Sequence, residues 1–61
     1  MKLTKAIEKV RRLEADTCLT PELLARKYNR KDPERVRMHL LFAIENIRQA
    51  VLEEYGVWIR Q

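Results

Sequence analysis

Apolar residues recur at helical spacing along almost the whole chain. Leu3, Ile7, Val10 and Leu13 are separated by four, three and three positions, one stripe on a helix predicted over residues 3–15, with lysine, arginine and glutamate around it. Asp16-Thr17-Cys18 breaks the pattern. A second helix is predicted over residues 21–29. Thr20 suits the N-cap, Pro21 the first helical position, and Glu22 complements the positive end of the dipole. Leu19 is placed to staple onto Leu23 or Leu24. Asn29, a residue that tolerates the left-handed conformation, ends the helix. The same start signal returns at Asp32-Pro33-Glu34, opening a third helix over residues 33–55. Gly56 supplies its left-handed stop, where a Schellman ending would bring Val57 onto Leu52.

The expected fold is therefore all-α: three helices in one domain, followed by a short apolar tail, Val57-Trp58-Ile59. That tail is too hydrophobic to be left in water without a use. It would dock on the first helix or form an edge strand.

The third helix carries apolar residues on two sides. At about 100° per residue, Val36, Leu40, Ala43, Ile44, Ile47, Ala50, Val51 and Tyr55 share one broad face, the predicted core stripe. Met38, Leu41, Phe42 and Leu52 project from roughly the opposite side, where a surface helix normally has polar residues. Either the second helix covers Met38 and Phe42, or this face meets another chain. Self-association is the expectation, because a chain of 61 residues buries little surface and a lone core rarely supplies more than ~3–5 kcal/mol.

Composition narrows the means of stabilisation. Cys18 is the only cysteine and His39 the only histidine, so no intramolecular disulfide can form and the ligand set of a closed zinc site is missing. No metal or cofactor is expected. The N-terminal Met1-Lys2-Leu3-Thr4-Lys5 has no apolar stretch of the signal-peptide kind behind its charges, and no apolar run approaches the ~20 residues that span a bilayer. The expectation is a cytoplasmic protein with no membrane partner, in keeping with an unpaired cysteine.

Charge is unevenly spread. The net charge is +4, yet residues 1–19 carry five basic side chains against three acidic, residues 20–38 six against three, and residues 39–61 two against three. The excess concentrates on residues 26–37, a distribution able to attract an anionic surface from one side.

No catalytic constellation is apparent. With one cysteine and one histidine there is no nucleophile, base and orienting group to assemble, and a single glycine excludes a glycine-rich phosphate loop. Cys18 precedes a helix start and reads as an inert thiol. His39, inside Met38-His39-Leu40-Leu41-Phe42, reads as a partly buried, hydrogen-bonded histidine. Glu53-Glu54 opposes the dipole at the end of the third helix, with Lys2, Lys5, Arg60 or a neighbouring subunit as its offset.

Residues 19–41 resemble the helix-turn-helix DNA-binding class. Leu19-Thr20-Pro21-Glu22-Leu23-Leu24-Ala25-Arg26-Lys27-Tyr28-Asn29 is similar to the first helix of that motif, with alanine at the packing position and a turn-former after it. Asp32-Pro33-Glu34-Arg35-Val36-Arg37-Met38-His39-Leu40 is similar to the start of the second. The resemblance implies that the second helix enters the major groove by its N-terminal residues. Arg30 and Lys31 would then meet phosphates, Arg35, Arg37 and Met38 would lie toward base edges, Arg26 and Lys27 would flank the contact, and the amides at Thr20–Glu22 would cap a phosphate. The turn is about one residue longer than the tight version and lacks its glycine, Glu34 would sit near phosphates, and Phe42 extends an apolar ridge. The leading expectation is a small DNA-binding regulator acting as a homodimer on double-stranded DNA. The competing one is a protein-interaction module, of the accessory or inhibitor kind, engaging a protein partner through Met38, Leu41 and Phe42, with Leu52 and Trp58 as further interface residues.

Overall fold

A computed structural model of the chain describes residues 2–60. It consists of three helices, α1 (Leu3–Thr17), α2 (Pro21–Tyr28) and α3 (Pro33–Tyr55), with no strand among the described residues. None of the helices is long and apolar enough to cross a membrane. α1 and α2 both pack on α3, which sets the shape: the extents are 37 × 17 × 16 Å. The radius of gyration, 12.5 Å, exceeds the ~10–11 Å of a compact chain of this length.

The helix starts follow the polar signals. Thr20 accepts a hydrogen bond from the Leu23 amide and Asp32 from the Arg35 amide, each with proline at the first position. The two left-handed stops exchange details relative to expectation. At Asn29 (φ 53°) the Arg30 amide donates to the Ala25 carbonyl and the Asn29 amide to that of Arg26, the paired bonds of a Schellman ending. At Gly56 (φ 68°) only the glycine amide reaches back, to Leu52, and Leu52 and Val57 both stay exposed.

Two apolar clusters hold the helices. Ala6, Val10, Ile44, Val51 and Ile59 form one, with Leu3, Ile7, Leu13 and Ile47 half-buried against it. Leu24, Val36 and Leu40 form the other, with Leu13, Leu19 and Tyr28. Leu13 belongs to both and joins them. The tail docks as one of its two expected forms: Ile59 enters the α1–α3 cluster and no edge strand forms. In the expected core stripe of α3, Ala50 and Tyr55 turn out exposed, because α1 and the tail cover only the Ile44–Val51 side at that end.

α1 runs two residues beyond its predicted end, to Thr17, and the polar break proves to be a buried anchor. Asp16 is buried between α1 and α2, accepting hydrogen bonds from Lys27 Nζ (2.6 Å) and from the Tyr28 hydroxyl. The bond from Lys27, and after it that from Tyr28, hold the Asp16 carboxyl below its ordinary range, although burial acts in the opposite sense. The same carboxylate, with desolvation, pushes the Tyr28 phenol up to about 12. Two limits on stability follow. Asp16 titrates lower in the folded than in the unfolded chain, so its contribution is complete above the unfolded value near ~4 and disappears as pH falls through the folded one. Tyr28 titrates higher when folded, so its contribution is complete below ~10 and declines as pH rises from there toward about 12. Urea midpoints measured across pH should show both limbs. Tyr28→Phe should flatten the alkaline limb; an unchanged limb would mean the phenol plays no part.

Candidate functional site

Residues 26–42 contain most of the side chains singled out from the sequence, and the fold separates them into distinct surfaces. Arg30, Lys31 and Arg35 line one open groove together with Asp32, Val36 and His39. A second hollow continues from it along Asp32, Glu34, Arg35, Met38, His39 and Phe42. The capped start of α3 thus lies between basic groups and two carboxylates.

The six candidate basic residues are not equivalent. Lys27 is bound to Asp16, whose side chain is 7% exposed, and serves the α1–α2 contact. Arg26, Arg30, Lys31, Arg35 and Arg37 are exposed and make no ion pair among the described residues. Arg35 and Arg37 stand two positions apart, which turns them by about 200° around α3, so one approach of the helix to a groove presents one of them and not the other. The face opposite the core carries Glu34, Met38 and Phe42, and of the basic residues only Arg35 accompanies them. His39 is exposed, unlike the partly buried histidine that its sequence neighbours suggested: it falls just outside the stripe formed by Val36, Leu40 and Ala43.

The apolar candidates also separate. Met38, Leu41 and Phe42 lie one turn apart on adjacent rows of α3 and are 54%, 52% and 59% exposed. α2 does not cover them; its buried side chain, Leu24, packs on Val36 and Leu40 around the helix from this ridge. Leu52 lies ten residues beyond Phe42, about 15 Å along the axis, and is exposed, as are Tyr55, Val57 and Trp58. Of the five predicted interface residues, Leu52 therefore lies apart from the Met38, Leu41 and Phe42 ridge.

Two polar anchors escaped the sequence pattern. Asp16 is one. The other is Arg48, whose guanidinium meets Glu14 (2.9 Å) and whose Nε donates to the Ile59 carbonyl (2.9 Å), tying α1, α3 and the tail together. Only the helical phase of Arg48, beside Ile44 and Val51, hinted at this. Glu53 and Glu54 pair with none of Lys2, Lys5 and Arg60; the ion pairs among the described residues are those of Asp16 and Glu14.

Cys18 is exposed, and no group of three metal-ligating side chains occurs among the described residues. Chemically, the arrangement offers a cationic groove and, adjoining it, an apolar ridge. The chain matches no protein-family model, no curated protein and no solved structure. What these surfaces do rests on their own chemistry.

Proposed function

We propose that this chain is a small protein-interaction module that docks a protein partner through the outer face of α3, with Met38, Leu41 and Phe42 as the anchor. The observation that carries this is the exposure of three large apolar side chains on adjacent turns of one helix, with every other helix of the fold engaged elsewhere. Isolated exposed leucines are ordinary, but a contiguous patch rimmed by Glu34, Arg35, Arg37 and Glu45 has the apolar centre and charged border of an interface. A rigid helix presenting such a row suits a groove or a second helix. The test is a photo-crosslinking amino acid at position 42, activated in cells that express the chain. A discrete protein adduct, lost when Met38 and Leu41 are changed to glutamine, is expected; the absence of any adduct refutes docking at this face.

A helix-turn-helix-like DNA-binding role is the second proposal, favoured by the groove where Arg30, Lys31 and Arg35 stand without carboxylate partners. It stands second because the outward face of α3 offers duplex DNA three apolar side chains, Met38, Leu41 and Phe42, and Glu34. It predicts duplex retardation at low salt that weakens steeply as salt rises, through counterion release, and that is lost on replacing Arg30, Lys31 and Arg35 by alanine. No retardation at low salt would eliminate it.

A further inference from the structure

We infer that the groove between the α2–α3 turn and the first turns of α3 binds a small phosphate monoester, held as a dianion by Arg30, Lys31 and Arg35. The groove is a different surface from the Met38, Leu41 and Phe42 ridge, and the inference stands whatever docks there.

The groove is lined by Arg30, Lys31, Asp32, Arg35, Val36 and His39 and has a volume of about 490 Å³. Sites for small organic ligands run from ~300 to 1,000 Å³, so there is room for a phosphate group and a compact body attached to it. The backbone around the groove is held at both ends. The Arg30 amide donates to the Ala25 carbonyl (2.9 Å), completing the ending of α2, and the Asp32 carboxylate accepts from the Arg35 amide (3.3 Å) as the cap of α3. Arg30 and Lys31 thus reach the groove from the turn, Arg35 and His39 from successive turns of α3. Val36 is the one buried side chain of the lining and forms its floor.

Charge selects the class of ligand. With His39 neutral, three cations and one carboxylate leave the groove a surplus of two positive charges. None of the three cations has an ion-pair partner among the described residues. Asp32 is engaged with an amide of its own helix, and Glu34 lines the adjoining hollow but not this one. A phosphate monoester carries nearly two negative charges above pH ~7, which matches the surplus. The guanidinium forks of Arg30 and Arg35 suit its oxygens, each able to donate two parallel hydrogen bonds. Shape separates this ligand from a nucleic-acid backbone. A duplex presents its phosphates on a convex surface and calls for cations that stand out from the protein. Here the cations border a hollow with a valine at its floor, which fits a terminal phosphate whose organic body rests on Val36.

Titration of the ¹⁵N-labelled chain with phenyl phosphate above pH ~7, followed by amide NMR shifts, tests the site. Saturable shifts confined to residues 30–39 are expected, with a dissociation constant of about 1 mM or tighter, the scale of a few charge-assisted contacts. Inorganic phosphate, without the ring, should bind about 3-fold more weakly, and the singly charged diester dimethyl phosphate at least ~10-fold more weakly. Arg30→Ala combined with Arg35→Ala should weaken phenyl phosphate at least ~10-fold. All three cations are exposed, so these variants should keep their helix content; if circular dichroism shows otherwise, Lys31→Gln, outside both helices, carries the test with a loss of about 3-fold. Lys5→Ala, an exposed cation of α1 away from the groove, should change nothing. Shifts that never saturate, a Lys5→Ala loss equal to that of the groove variants, or a diester that binds as well as the monoester would each overturn the inference. A phosphotyrosine peptide binding more than ~10-fold tighter than phenyl phosphate would also overturn it, because chain beyond the phosphate would then be what the groove reads.

Discussion

Leu24→Ala is expected to remove most of the protein's stability at room temperature. Leu24 is fully buried and is the only buried side chain of α2. It holds that helix to Val36 and Leu40 and touches the cluster shared with Leu13, Leu19 and Tyr28. Truncating a buried leucine costs ~2–5 kcal/mol, depending on how far the surroundings collapse into the space. A single core of this size supplies about 3–5 kcal/mol in all. α2 cannot compensate by surviving alone, since eight residues are well below the ~12–15 at which even good isolated helices become marginal. Loss of α2 would also take away Lys27 and Tyr28 from buried Asp16. Far-UV circular dichroism and urea titration check the expectation, with exposed Leu23→Ala as the control, which should shift stability by no more than ~0.5 kcal/mol. If the two variants unfold alike, α2 is not packed as described.

Arg48→Ala should cost nearly as much, for a different reason. Arg48 and Glu14 are each 15% exposed, so the pair is largely withdrawn from water. Removing the arginine leaves the Glu14 carboxylate poorly solvated and the Ile59 carbonyl without its donor. Breaking a buried pair from one side costs ~3–5 kcal/mol, and the residual solvent contact here lowers that to about 2–4. Arg48→Met, which retains the stem, should recover the packing part but not the charge part. The decisive comparison is Glu14→Gln combined with Arg48→Met: removing both charges should be milder than removing Arg48 alone. Additive losses in urea unfolding would show that the two groups do not interact.

Both anchors explain where sequence pattern stopped being informative. The limits of α2 and α3 were legible because their causes are local: a threonine or aspartate cap, a proline behind it, an asparagine or glycine that accepts positive φ. The core of α3 was legible at Val36, Leu40, Ile44 and Val51 because a period of 3.6 does not depend on what lies opposite. Asp16 looked like a break because its partners, Lys27 and Tyr28, are eleven and twelve residues away and become neighbours only when α2 folds back. Arg48 and Glu14 are separated by 34 residues, and nothing in either segment announces the other. Ala6, fully buried in the cluster with Val10, Ile44, Val51 and Ile59, is too small to stand out in the apolar pattern beside its larger neighbours. For the candidate site, the sequence identified the basic turn and the ridge as surfaces, but their division depends on rotation around α3. Arg37 parts from Arg35 for that reason, and Leu52 from Phe42 by distance along the axis.

The docking of Ile59 has a practical side. Leu3 and Ile59 both pack on the α1–α3 cluster, and neither belongs to the Leu24, Val36 and Leu40 cluster at the start of α3. A label or affinity handle attached beside either residue would be rooted at the α1–α3 cluster and not at Arg30, Arg35 and Met38. Cutting the chain before Val57 would instead uncover the α1–α3 cluster and take from Arg48 its Ile59 acceptor.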